Sequence, residues 1–210
     1  MRPVPETVSS ILVIKLSSLG DVLLGTAILP ALAGRWPGAA IDWVVEPEGA
    51  ALLDNNPFIR QPLLFRRREM AALVLRHPLR ALRLWREFRR RLRECEYDLV
   101  IDIQGLAKSW LVLRQACLAP RGLRIGKGRF IGLDIASPHR RGFRRHAVPS
   151  YFEPLESFLP SLPDAAEMRP VFVPAESARA ELEDLLHGEQ PRARHVVLHP
   201  WTTWTAKHWP

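Results

Sequence analysis

Asp21 follows Ser17, Ser18 and Gly20 in the stretch V-I-K-L-S-S-L-G-D-V. The stretch opens like a strand-to-helix turn that cradles phosphate, but it lacks the glycines such a turn usually carries. An acid at a helix start caps free amides and complements the dipole, which is reason enough for its presence. Placed at a strand-end crevice, the same carboxylate can also accept a proton from a substrate hydroxyl. The dipole keeps it ionised and therefore a weak base. That suits a hydroxyl that turns acidic only as its bond to an electrophile forms, and the two roles are compatible.

Two further groups carry chemistry. Thr202, Thr203 and Lys207 sit in H-P-W-T-T-W-T-A-K-H-W-P. Two hydroxyls, loop amides and an ammonium group suit a diphosphate, with Lys207 set against developing negative charge; the plain alternative is a polar loop before a helix cap. Gln104, Gly105 and Lys108 sit in D-I-Q-G-L-A-K-S. Gly105 permits a tight strand-to-helix turn, and Lys108 reads equally well as a surface lysine.

These groups need a frame that brings chain-distant loops to one edge. Residues 11–16, I-L-V-I-K-L, read as a buried strand, and residues 21–36 as a helix kinked at Pro30 and ended by Pro37-Gly38. Strands follow at 40–47 and, more weakly, 60–65. Residues 77–95 form the clearest helix, with Ala81, Trp85, Phe88, Leu92 and Cys95 on one face and Arg83, Arg86, Arg90 and Arg93 on another. A strand at 97–105, a helix at 106–118 and a short strand at 123–126 continue the alternation. Alternating strands and helices specify an α/β fold, a parallel sheet with helices on both faces, in which ligands gather at the carboxyl ends of the strands.

The stretch 127–148 is irregular and basic, a candidate functional loop. Helices are expected at 150–162 and 177–188, and a strand at 193–200 runs into the Thr-Thr loop. A lone strand with no sheet around it is a poor folding unit. The expected organisation is therefore a tail at 1–10, one Rossmann-like domain at 11–175, and at 176–210 a linker helix with the opening of a second domain.

The chain has 210 residues, a formal net charge of +8 and two cysteines, Cys95 and Cys117, which outline no disulfide framework or metal site. Eleven arginines lie between Arg66 and Arg93, against Glu69 and Glu87 with Glu94 just beyond; a second cluster, H-R-R-G-F-R-R-H, covers 139–146. Such clusters call for an anionic partner or form a solvated face. No apolar run reaches the roughly 18 residues of a membrane span, and the N-terminus lacks a signal-peptide core. Cytosol is the expected compartment.

Taken in order, I-K-L-S-S-L-G-D-V-L-L-G-T-A-I-L-P-A-L, D-W-V-V-E-P-E-G-A, Y-D-L-V-I-D-I-Q-G-L-A-K-S, H-A-V at 146–148 and H-P-W-T-T-W-T-A-K-H-W-P resemble the ADP-heptose:lipopolysaccharide heptosyltransferases of glycosyltransferase family 9, most closely the heptosyltransferase I branch. The resemblance covers residues 11–210. It implies a GT-B fold of two Rossmann-like domains across a cleft, the N-terminal one receiving a sugar acceptor on the lipopolysaccharide inner core and the C-terminal one holding ADP-heptose. It makes Asp21 the catalytic base of an inverting displacement and Thr202, Thr203 and Lys207 the donor-phosphate contacts. Ser18, Gly20, Arg66, Arg67, Arg68, Gln104, Lys108 and Arg129 become the acceptor-side candidates. No cofactor is implied, and no D-x-D motif is present to hold a metal. The implied setting is the cytoplasmic face of the inner membrane, in peripheral association.

The loop 126–146 departs from the family's usual stretch, and the family's D-T-G-x-x-H segment does not occur in these 210 residues. A cleft with one wall cannot orient a donor or exclude water, so the chain alone is expected to transfer little sugar. Another nucleotide-sugar donor, and a non-catalytic module that binds anionic glycolipid, remain open alternatives. Nucleic acid is not expected, because no platform of spaced exposed aromatics accompanies the arginines.

Overall fold

The structure, a computed structural model, describes residues 3–128, 130–137 and 147–186. It divides into two compact units, Met1–Pro174 and Ala175–Pro210. Six strands form one sheet in the first unit: β1 (Ser10–Ile14), β2 (Ala40–Val45), β3 (Ile59–Leu64), β4 (Glu96–Asp102), β5 (Cys117–Lys127) and β6 (Ile135–Ser137). Their order is β3-β2-β1-β4-β5-β6 and every neighbouring pair is parallel. This is the doubly wound order, whose direction of winding reverses between β1 and β4.

Strand composition follows from burial on both faces. In β1, Ile11 and Val13 point into one apolar layer and Leu12 and Ile14 into the other, all fully buried. Period-two alternation thus feeds two cores, and the run reads as continuously apolar. The first layer holds Trp43, Leu99, Ile101, Ile28, Leu32 and, from α6 (Ala147–Phe152), Tyr151 and Phe152. The second packs Phe88 and Leu92 of α4 (Pro78–Leu92), with Val112 and Leu113 of α5 (Ala107–Gln115), against Leu12, Ile14 and Val100.

Several elements differ from the sequence expectation, each for a local reason. The helix expected over 21–36 is α1 (Leu19–Gly25), a 3-10 turn at Thr26–Ile28 and α2 (Leu29–Arg35). Pro30 falls in the first turn of α2, where its missing N–H costs nothing, so the chain restarts a helix there instead of bending one. The short strand at 123–126 extends back to Cys117, with a register irregularity opposite Tyr97–Leu99. A seven-residue helix α3 (Arg67–Leu73), not expected from the sequence, precedes α4. Within the stretch expected to be irregular, β6 adds an edge strand. The helix expected over 150–162 is α6 followed by a 3-10 turn at Glu153–Leu155, which Pro154 opens.

The second unit contributes α7 (Glu176–Leu186), none of whose residues is buried. The strand expected at 193–200 lies outside the described residues. No helix among the described residues is long and apolar enough to cross a membrane.

Candidate active site

The loop after β1 and the loop after β4 meet where the strand order reverses, and Gln104 stitches them together. Its Oε1 accepts the Leu16 amide at 2.7 Å and its Nε2 donates to the Ser17 carbonyl at 3.1 Å. Asp102 shapes the second loop by accepting the amides of Gln104 (2.9 Å) and Gly105 (3.1 Å) and the Ser109 hydroxyl (2.7 Å). Burial pushes the Asp102 carboxyl up, against the pull of those three donors. Gly105 has φ +68, and a Cβ there would stand 2.7 Å from the Lys127 Cβ. Both the dihedral and the close approach of β5 demand glycine.

Asp21 lies in the first turn of α1 with its side chain 42% exposed. Its Oδ2 accepts the Ser18 hydroxyl (3.0 Å) and amide (3.3 Å), so it does cap the helix. The same oxygen lies 3.6 Å from the Lys15 ammonium, and Oδ1 accepts the Tyr151 hydroxyl at 2.9 Å. Partial burial opposes its charge, but Lys15, Tyr151 and Ser18 outweigh that and hold the carboxyl below its ordinary range. Capping and a partly open, ionised carboxylate therefore coexist.

Beneath Asp21 lies a layer of buried charge. Lys15 directly follows β1 and Lys127 ends β5, and each stands 5.2 Å from the centre of the Tyr151 ring. Lys127 faces Glu153 at 3.7 Å. Burial pulls both ammonium groups down, partly offset by Asp21 for Lys15 and by Glu153 for Lys127. Burial and the Asp21 charge push the Tyr151 phenol up, so it stays a donor.

A second carboxylate, Glu46, stands buried at the end of β2. Its Oε1 accepts Arg67 Nε at 2.9 Å and Lys108 Nζ at 3.2 Å; Oε2 has the Arg68 guanidinium at 3.6 Å. Burial opposes its charge, but Arg67 and Lys108 win and lower its pKa. Lys108 also donates to the Ser17 hydroxyl.

The candidates named from the sequence thus separate. Asp21, Ser18, Gly20, Gln104, Lys108, Arg67 and Arg68 come together at the carboxyl ends of β1, β2 and β4. Gly20 has no atom within 4 Å of a would-be Cβ, which leaves space above the loop. Arg66 turns aside to Glu69 at 3.3 Å. Arg129, Thr202, Thr203 and Lys207 lie outside the described residues. Among the described residues no group of three or more His, Cys, Asp or Glu is placed to hold a metal ion.

Sequence reasoning missed Lys15, Glu46, Lys127 and Tyr151. The signal for the first two was available: a lysine and a glutamate at the ends of otherwise apolar strands (I-L-V-I-K, D-W-V-V-E) are too costly to bury without a partner. Tyr151 carries no such local mark. A separate concavity between Pro3–Thr7 and Ala119–Arg121 lies at the amino ends of the strands. One of its two acids, Asp98, is committed to Ser9 and Ser10.

A doubly wound parallel sheet with an ionised aspartate and basic side chains at its switch point is a Rossmann-like unit built to receive an anionic ligand at that edge. Comparison with known proteins narrows the class. The sequence pattern of glycosyltransferase family 9 (heptosyltransferase) matches residues 85–210, and the chain belongs to that family. It is 33% identical over 208 residues to lipopolysaccharide heptosyltransferase 1 of Pseudomonas aeruginosa, covering 95% of this chain and 54% of that protein. The solved E. coli heptosyltransferase WaaC with ADP-2-deoxy-2-fluoro heptose superposes with a TM-score of 0.69 at 27% identity, over 96% of this chain and 62% of that one. A family 9 glycosyltransferase from Veillonella parvula shares the fold, with a TM-score of 0.77 at 19% identity over 98% of this chain and 57% of that one. The chain spans about half the length of the Pseudomonas aeruginosa relative.

Proposed function

We propose that this chain supplies the acceptor side of an inverting heptosyltransferase that moves heptose from ADP-heptose to the inner core of lipopolysaccharide. The supporting observation is Asp21: ionised, half open, and fixed by Ser18, Tyr151 and Lys15 at the switch-point edge. The acceptor hydroxyl oxygen attacks the anomeric carbon from the face opposite the diphosphate. As the new C–O bond forms, its proton passes to Asp21, and the old C–O bond breaks with its electron pair leaving on ADP. An aspartate held below its ordinary pKa accepts that proton only once the hydroxyl has turned acidic. Proton transfer is then coupled to bond formation.

Thr202, Thr203 and Lys207 take the donor diphosphate in this reading, and Lys207 meets the charge that develops on it. Arg67, Arg68 and Arg129 meet anionic groups of the acceptor, with Glu46 orienting Arg67 and Arg68, and Arg66 joins them when it exchanges Glu69 for the acceptor. Ser18, Gly20, Gln104 and Lys108 complete the floor. The acceptor is a membrane lipid, so the protein works peripherally on the cytoplasmic face of the inner membrane.

The test joins the 210-residue chain to the remaining length of the Pseudomonas aeruginosa relative and measures heptose transfer from ADP-heptose to a heptose-free inner-core acceptor. Transfer that Asp21→Asn lowers by at least about 100-fold is the expected result. A hybrid whose Asp21→Asn variant folds, binds ADP-heptose and transfers as well as its parent refutes Asp21 as the base.

A further inference from the structure

Helices α3 and α4 form a hairpin whose tip has no counterpart in the site chemistry. Around it Val74, Leu75, Leu79 and Leu82 project into solvent, Leu75 with 92% and Leu79 with 80% of its surface exposed. Arg76, Arg80, Arg83 and Arg86 are interleaved with them and exposed, and none pairs with an acid among the described residues. From Met70 to Arg86 the sequence has no Asp or Glu. The acids of α4 come later and are engaged: Glu87 with Arg91 at 3.8 Å and, just past the helix, Glu94 with Arg90 at 2.7 Å.

This arrangement is unfavourable for a free surface. Arg80 sits in the first turn of α4, where the helix dipole disfavours a cation and no acid compensates. Exposed leucines beside it gain nothing from water. An interface that is apolar at its centre and anionic at its rim reverses both costs. The aromatic residues of α4 are not available for stacking on bases: Trp85 and Phe88 turn inward onto Phe65, with ring centres 6.2 and 4.8 Å away.

We infer that the α3–α4 tip docks on an anionic phospholipid bilayer, Val74, Leu75, Leu79 and Leu82 entering the acyl boundary while Arg76, Arg80, Arg83 and Arg86 meet headgroup phosphates. Apolar burial with a basic rim is how interfacial helices hold a membrane, and each arginine near such a surface contributes roughly fivefold in affinity. The surface also fits the reading of the site. Arg67, at the start of α3, grips Glu46 in the crevice, and α3 rises only about 10 Å from there to Val74. A lipid-anchored sugar would then meet the crevice from the membrane on which the tip rests. That link depends on the proposed function; the docking does not.

Flotation of the 210-residue chain with vesicles of phosphatidylethanolamine and phosphatidylglycerol, which contain no sugar acceptor, tests it apart from transfer. Binding is expected to these vesicles, and to drop at least about tenfold on pure phosphatidylcholine. Leu75→Asp with Leu79→Asp, and separately Arg76→Glu with Arg80→Glu, should each weaken it by at least as much, while circular dichroism remains that of the parent chain. Absence of vesicle binding overturns the inference. So does binding that the leucine pair leaves unchanged, which marks mere polyanion attraction, or a self-association that only the leucine variants abolish, which marks a second copy as the occupant.

Discussion

Asp21, in the first turn of α1, and Asp42, in β2, are both acids of the first half of the domain, yet the fold treats them oppositely. Asp42 is fully buried and held on both oxygens: Arg60 binds both of them, and Gln61 donates to Oδ2 at 3.3 Å and the Tyr97 hydroxyl at 2.8 Å. Asp21 also has a tyrosine and a cation, but its cation is a buried lysine at 3.6 Å, longer than a hydrogen bond, and part of the carboxylate stays open to solvent. A buried carboxylate that accepts four hydrogen bonds from the protein itself holds structure together. One that keeps an ionised charge with a face left open is available to a substrate.

That contrast is broken most directly by removing basicity at Asp21. Asp21→Asn keeps the size of the side chain and should lower transfer in the hybrid enzyme by about 100- to 10,000-fold, with a much smaller effect on stability. Initial rates with ADP-heptose, set beside urea unfolding midpoints, separate the two. A large stability loss with little rate loss would make Asp21 a second Asp42.

The reverse is expected of Asp42→Ala. It strips Tyr97 and Gln61 of their acceptor and leaves the Arg60 guanidinium, itself partly exposed, without its counter-ion. Breaking such a cluster costs about 3 kcal/mol of folding stability, read as a lowered urea midpoint. Transfer per folded molecule should be unchanged, since Asp42 lies within the sheet and not at its carboxyl edge. A rate loss beyond the loss of folded protein would show that the two acids communicate.

Tyr151→Phe probes the coupling by pH. Asp21 has a folded-state pKa below its unfolded value. Its ionised form therefore adds stability that is present above about pH 4 and lost as pH falls through the lowered folded value. The Tyr151 hydroxyl supplies part of that depression. The variant should be less stable than the parent by about 1 kcal/mol at pH 7, a figure kept low by the solvent exposure of Asp21, and the gap should shrink at an acidic pH below the lowered folded value. Unfolding midpoints at the two pH values measure it. An equal gap at both would assign the hydroxyl a packing role only.

The two acids also show what a sequence reveals. Asp21 was legible because its partners are local: S-S-L-G-D puts a cap, a turn and an acid within five residues, and the cap geometry follows from that spacing. The alternation of apolar runs likewise defined the parallel sheet. Tyr151 was not legible, because it reaches Asp21 across 130 residues of sequence and only the packing of α6 brings it there. Nor was α3, seven residues long with no fully buried residue, placed by Arg67 and Arg68 on Glu46 and by Met70 against the second core. Long-range partners of a charge leave no periodicity behind; what they leave is the charge itself in an apolar run, as at Lys15.

The smallest effect on stability, and the sharpest test of the open face of Asp21, comes from Gly20. An alanine Cβ there meets nothing within 4 Å, and the backbone is ordinary helix. Gly20→Ala should therefore leave stability unchanged or raise it by about 0.5 kcal/mol, because alanine loses less entropy in a helix. If the space over the loop receives the acceptor, the same methyl group intrudes on it, raising KM for acceptor severalfold while KM for ADP-heptose stays constant. An acceptor KM unmoved by the substitution would show that the sugar does not occupy the space over Gly20.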